Sequence, residues 1–177
     1  MPQRSNFWAR FAPFCVAFLI VVCDRFSKIR IREALTSLDA VTVIPGWLRI
    51  VHTENPGAAF GVLADGNPMM RSLVLIGVST LVLIFVASAL WSRGSAFAAL
   101  LTRLGLSLIL GGALGNLYDR VVRGTVTDFI EVYHGDWTFP AFNVADSAIT
   151  VGAIVLLIEM LRPKQKQLEE SARLAHK

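Results

Sequence analysis

Two aspartates, Asp128 and Asp146, stand in the stretch Gly111–Asp146 with no cation beside either of them in sequence. The stretch, GGALGNLYDRVVRGTVTDFIEVYHGDWTFPAFNVAD, begins inside one apolar run and ends inside another, and it also carries Asn116, Asp119, Arg120 and Asn143. Ionisable groups at the edge of a bilayer are costly unless paired or wetted, which makes them functional candidates. Two carboxylates in a dry, crowded site cannot both ionise cheaply and tend to share one proton. The charged one can then take a proton from water while the neutral one hydrogen-bonds a carbonyl oxygen, and this pairing hydrolyses an amide without a covalent intermediate. We read Asp128 and Asp146 as such a pair. Plainer roles stand beside that reading: Asp146 as a helix cap, Asp128 as a loop turn residue, and Asp119 with Arg120 as a structural ion pair or network at the helix end. A small proton-coupled transporter would use the same carboxylates, but it wants polar residues deep along its spans. The second and third apolar runs offer few, namely Ser79, Thr80 and Ser88, then Thr102 and Ser107.

Other chemistries lack their residues. There is no G-x-S-x-G elbow and no H-E-x-x-H, and His52, His134 and His176 have no partner at a telling spacing. His134 reads as a loop residue. Cys15 and Cys23 sit in one apolar run at a spacing that fits neither a zinc site nor a disulfide framework. No metal or cofactor is expected. The net charge of +4 fits Lys and Arg near lipid headgroups. With no basic stripe interleaved with aromatics, no nucleic-acid partner is expected either.

The elements that must position the pair are membrane spans. Of 177 residues, 54% are hydrophobic, too apolar for an ordinary soluble domain. Four runs approach the roughly 20 residues needed to cross a hydrocarbon core: Phe7–Cys23, Met70–Trp91, Ala96–Leu117 and Phe142–Leu161. The first lacks a small-residue cleavage site before Asp24 and is kept as a span. The expected fold is an all-α membrane protein, one integral-membrane domain over residues 1–177, with four transmembrane helices. A small extracytoplasmic β-rich insertion is expected between helices 1 and 2, within residues 30–69. There, Val41–Ile44 and Trp47–Thr53 are rich in β-branched and aromatic residues, with a Pro45-Gly46 turn between them. The insertion ends in a turn at Asn55-Pro56-Gly57, whose following small residues allow close backbone approach; Asn55 is its candidate polar reader. Lys28 follows Asp24 by four residues, so the two can meet on one helix face, either bracing a site or anchoring the interface. Gly111, Gly112 and Gly115 form a small-residue pattern for close helix packing. Beyond Leu161 a polar tail follows.

An up-down path through four spans collects Asp24, Asn55, Asn116, Asp119, Arg120, Asp128, Asn143 and Asp146 on one membrane face. Orientation stays open, because nine Lys and Arg lie on the terminal face and eight on the face with the polar cluster.

At these residues the chain resembles the lipoprotein signal peptidase (signal peptidase II) family, bacterial integral-membrane aspartic peptidases. The resemblance rests on five motifs in order: Asp24…Ser27-Lys28, Asn55-Pro56-Gly57-Ala58-Ala59-Phe60-Gly61, Gly115-Asn116-Leu117-Tyr118-Asp119-Arg120, Val126-Thr127-Asp128-Phe129 and Phe142-Asn143-Val144-Ala145-Asp146-Ser147. It implies that Asp128 and Asp146 are the catalytic dyad and that Asn55, Gly57, Asn116, Arg120 and Asn143 support or line the substrate site, with Asp24 and Lys28 in the first motif. It further implies a multi-pass protein of the cytoplasmic (inner) membrane, with cytoplasmic termini and the site near the periplasmic face. The implied partners are membrane lipids and, as substrates, prolipoproteins whose lipobox cysteine carries diacylglyceryl, cut on that cysteine's N-terminal side; no obligate protein partner is expected. Arg25 departs from the Gln of many members, a change expected to alter headgroup contacts and to put nothing catalytic in doubt. The Asn55–Gly61 and Thr125–Phe142 segments are expected to be loops lining a wet cavity.

Overall fold

The computed structural model describes residues 7–57, 67–92 and 100–161, with side chains from residue 11 onward. In chain order the elements are α1 (Phe7–Ala34), β1 (Ala40–Ile44), β2 (Leu48–Asn55), α2 (Pro68–Trp91), α3 (Leu100–Arg123), β3 (Val126–His134), β4 (Trp137–Thr138) and α4 (Val144–Leu161). Three of the helices, α2, α3 and α4, are long and apolar enough to cross a membrane. Their outward faces leave large apolar side chains such as Leu81, Phe85, Ile154 and Leu157 exposed, a surface suited to lipid tails rather than water. The helix α1 does not stop at the charge cluster after Cys23; it continues through Asp24, Arg25 and Lys28 to Ala34. The polar tail after Leu161, Arg93 and the Ala58–Gly61 part of the second motif lie outside the described residues.

The centre of the helix assembly is α3, which packs against each of the other three. Its small residues permit this. A Cβ on Gly112 would meet Ile149 Cγ1 of α4 at 2.8 Å, and one on Gly105 would meet the Gly152 carbonyl oxygen at 2.9 Å. So α3 and α4 touch backbone to backbone, as the small-residue pattern anticipates. The apolar core joins Ala17 of α1 with Leu83, Val86, Ala89 and Leu90 of α2 and Leu106 and Leu110 of α3.

The β layer is larger than the expected insertion between the first two helices. The hairpin β1–β2 turns at Gly46, whose φ of 77° requires glycine. But the sheet has four antiparallel strands in the order β1-β2-β3-β4, and half of them come from the connection between α3 and α4. The Thr125–Phe142 segment is therefore mostly strand rather than loop, and Asp128 is a strand residue, not a turn residue. The run Val126–His134 has the β-branched and aromatic content of a strand. Its first four residues are all buried, so no one-sided alternation announces it. At Gly124 (φ 77°), whose N–H bonds the Arg120 carbonyl at 3.1 Å, α3 ends and the chain turns into β3. His134, expected in a loop, closes β3 with its ring stacked on Trp47, centroids 4.4 Å apart.

Candidate active site

Asp128 lies on β3 and Asp146 in the first turn of α4, and both line one cavity of about 520 Å³. Asn55, Asn116 and Arg120 share that lining, with Phe139, Phe142, Ile149 and Val151 as apolar walls. The helix α4 begins with a reciprocal cap: Asn143 Oδ1 accepts from Asp146 N–H at 2.9 Å, and Asp146 Oδ2 accepts from Asn143 N–H at 3.2 Å. This is the capping-box exchange, which satisfies donors that a helix start leaves free. Asp146 thus does contribute to the cap, while its Oδ1 takes a hydrogen bond from Asn116 Nδ2 at 2.7 Å.

Three side-chain amides converge on the carboxylates, and each is oriented by a donor on its carbonyl side. Lys28 Nζ, which can only donate, bonds Asn116 Oδ1 at 2.9 Å, so the Asn116 NH₂ faces Asp146. The cap bond occupies Asn143 Oδ1, so its NH₂ reaches Asp128 Oδ1 at 2.6 Å. Gly57 N–H donates to Asn55 Oδ1 at 2.9 Å, and Asn55 Nδ2 bonds Asp128 Oδ2 at 3.0 Å. Gly57 thereby fixes the amide that bonds Asp128 without touching the carboxyl itself.

Behind the amides lies a closed ion cluster. Lys28, Asp24 and Asp119 have wholly buried side chains, with Lys28 Nζ 2.8 Å from Asp24 Oδ2 and 2.9 Å from Asp119 Oδ2. Asp24 Oδ1 also accepts from the Ala145 N–H of α4 at 3.0 Å. A Cβ on Gly115 would sit 2.6 Å from Asp24 Oδ2, so glycine there makes room for the carboxylate. Asp119 pairs additionally with Arg25, whose guanidinium lies 4.1 Å from the Tyr118 ring centroid. Two carboxylates and two cations balance, which a buried cluster requires. The structural network expected at Asp119 is present, with other members than Arg120. Asp119 does not pair with Arg120: successive helical residues point about 100° apart, and Arg120 turns to the cavity and to the charges of Asp146 and Asp128. Arg25 engages Asp119 and Tyr118.

The electrostatics single out Asp128. Burial, then the neighbouring Asp146 charge, pushes the Asp128 carboxyl up to about 6, against the hydrogen bonds from Asn55 and Asn143 and the charge of Lys28. Asp146 sits in the first turn of α4, where the helix dipole suits a negative charge. A carboxyl that burial makes hold its proton, on a cavity lined by a second carboxyl, is a candidate acid-base arrangement. Among the described residues no cluster of three His, Cys, Asp or Glu is placed to hold a metal.

The structure thus gathers the candidates at one place: Asp128 and Asp146 on the cavity, Asn55, Asn116, Asn143 and Arg120 around them, Asp24 and Lys28 behind. The sequence places Phe139 and Phe142 in a segment expected to line a cavity but singles out neither as a wall, and it assigns no site role to Ser147 or Thr150 on α4. Thr150 stands one helical turn after Asp146, so helical spacing was its available signal.

An apolar helix assembly with a buried polar site at one end is the architecture of an integral-membrane enzyme. The chain aligns with a solved structure described as a bacterial membrane enzyme at 1.9 Å resolution, with TM-score 0.74, 30% identity, and 86% of this chain and 94% of that one covered. A second such structure, at 2.3 Å resolution, matches with TM-score 0.74 and 32% identity over 84% of this chain and 87% of that one. A family model described as signal peptidase (SPase) II matches residues 16–162. The lipoprotein signal peptidase of Solibacter usitatus is 45% identical over 157 residues, 89% of this chain and 94% of the relative. That of Pseudomonas aeruginosa strain UCBPP-PA14 is 40% identical over 169 residues, 93% and 96%. The chain belongs to the signal peptidase II family.

Proposed function

We propose that this chain is a membrane aspartic endopeptidase that removes signal peptides from diacylglyceryl-modified bacterial prolipoproteins, cutting on the N-terminal side of the lipidated cysteine. The observation that carries the chemistry is the convergence of three oriented amides on two carboxylates in a single cavity. Family membership supports the substrate. In this reading Asp146 takes a proton from a water molecule as its oxygen attacks the scissile carbonyl carbon. Asp128 gives its proton to the carbonyl oxygen, so a neutral gem-diol intermediate forms and the charge on the pair changes places. Asp146 then passes its proton to the departing amine nitrogen while Asp128 recovers one from the gem-diol, and the C–N bond breaks. Arg120 keeps negative charge tolerable in the cavity and orients substrate by hydrogen bonds.

The membrane arrangement belongs to the same proposal. The apolar half of α1 joins α2, α3 and α4 as a fourth span, residues 1–177 form one domain, both termini are cytoplasmic, and the cavity opens near the periplasmic face. Signal peptide and acyl chains then arrive laterally from the bilayer. Burial of each acyl CH₂ contributes about 0.8 kcal/mol, but most of that energy partitions substrate into lipid without making the enzyme selective. Selectivity falls to groups near the scissile bond such as Asn55, Arg120 and Asn143. The test is a gel-shift cleavage assay in liposomes on one precursor before and after diacylglyceryl transfer. The lipidated form is cut and the unmodified form, anchored by its signal peptide, is barely cut; equal rates would overturn lipid recognition.

A further inference from the structure

The end of β2 is weakly held by its ladder. A bulge lies between Ile50 and Thr53, and beyond it only Thr53↔Asp128, Glu54↔Thr127 and Asn55↔Val126 pair before the strand ends. Directly paired residues share a face, so Asn55, Thr53, Val126 and Asp128 project one way and Glu54 and Thr127 the other. On that second face Glu54 is a hub. Its Oε2 accepts from Thr125 Oγ1 at 2.5 Å, and its Oε1 accepts from Thr127 Oγ1 at 2.9 Å. The same Oε1 lies 3.1 Å from His52 Nε2 and 3.8 Å from Arg123 Nη2. Thr127 Oγ1 in turn accepts from Arg32 Nη1 at 2.9 Å, which commits its own hydrogen to Glu54. His52 Nδ1 is 2.9 Å from the Leu35 carbonyl oxygen beyond α1. Burial pushes the Glu54 carboxyl up, but hydrogen bonds from Thr125, His52 and Thr127 and the charge of Arg123 hold it below the ordinary carboxylate range.

We infer that Glu54 is a positioning residue for the acid-base pair: its carboxylate clamps the last turnless pairs of β2 and β3, and so holds the Asn55 amide on Asp128 from the opposite face of the sheet. It touches neither carboxyl of the pair and acts through Asn55. The clamp draws on the end of α1, on β2 and on the α3–β3 junction, so it ties the strand that carries Asp128 to the helices. Bulges re-aim side chains at such sites and leave the local ladder short of bonds, which is the deficit Glu54 makes up.

The inference rests on the proposed role of Asp128, and its test separates the two. Cleavage of a lipidated precursor is followed against pH for wild type, Glu54→Ala, Glu54→Gln, Asn55→Ala and the double variant Glu54→Ala/Asn55→Ala, with exposed Glu33→Gln as control. Glu54→Ala lowers kcat/KM about tenfold, the order expected of one lost orienting hydrogen bond to a charged group. It also moves the alkaline limb to higher pH, in the direction Asn55→Ala moves it, because both release a hydrogen bond that holds the Asp128 carboxyl down. The double variant is no worse than Asn55→Ala alone, and Glu54→Gln recovers most activity because the Thr125 hydroxyl can turn to accept from the new amide. If Glu54→Ala folds poorly, Thr125→Val removes one arm of the clamp and gives the same limb shift at smaller amplitude. A fall in rate with the limb unmoved, or losses that multiply in the double variant, would overturn the positioning role. If Asn55→Ala itself leaves the limb in place, the assignment of that limb to Asp128 falls, and the double variant still judges Glu54.

Discussion

Replacing Asp128 by Asn should stabilise the protein progressively as pH rises, even as it removes activity. The carboxyl stands 3% exposed and its proton is held to about 6 instead of the ordinary 3.8. A folded value above the unfolded one means the group's contribution is fully present below the unfolded value and lost as pH climbs through the folded one. From pH well below 3.8 to pH well above 6 the wild type therefore forfeits about 3 kcal/mol in all. Asn cannot ionise and forfeits nothing. The substitution has a fixed penalty of its own, since an amide in place of a carboxyl turns NH₂ toward either Asn55 or Asn143, both of which donate there. That penalty does not depend on pH, so the informative quantity is how the difference between the two proteins changes. Equilibrium unfolding in mixed micelles at pH 4, 6 and 8 measures it, and other titrating groups cancel to first order because both proteins carry them. The variant should gain about 2.4 kcal/mol on the wild type from pH 4 to pH 8, because at pH 4 the unfolded-state carboxyl is already more than half ionised. A constant difference, or a variant that loses ground as pH rises, would refute a proton held on Asp128.

Three further outcomes are expected. Lys28→Met leaves Asp24 and Asp119 buried without their shared cation and should cost about 3–5 kcal/mol, read as reduced yield and lowered Tm in detergent. Activity of the free enzyme should fall about tenfold per pH unit above about 6, as Asp128 loses the proton it must donate, read as kcat/KM against pH on a lipidated precursor; a profile that rises there refutes Asp128 as acid. Reporter fusions should place both termini and the connection after Trp91 in the cytoplasm, and fusions near Asp65 and His134 in the periplasm; a cytoplasmic signal at His134 contradicts the proposed topology.

The helices α2, α3 and α4 were legible because long uncharged runs have few alternatives. The hairpin β1–β2 was legible from β-branched residues around a Pro-Gly turn. The strand β3 was not. Its opening residues are buried on both faces, and two-sided burial erases the period-two signal on which strand reading depends. The gathering of the polar residues at one end followed from chain threading alone. Their pairings did not: Asp119 stands next to Arg120 in sequence but bonds Lys28 and Arg25 across more than eighty positions. The partner of Lys28 at four residues' distance, Asp24, was visible because helical spacing announces it. Glu54 had no comparable signal, since its ligands come from a strand pairing that was itself unread.

In the proposed mechanism Asp128 and Asp146 act as one hydrolytic unit on a lipidated precursor. Its most direct test is single-turnover cleavage by purified Asp128→Asn, Asp146→Asn and the double variant, each verified to insert and purify as wild type does. Either single change should abolish cleavage, the double variant should be little worse than either one, and a chelator should leave the wild type unaffected. Substantial cleavage by either single variant, or loss of wild-type activity to the chelator, would contradict it.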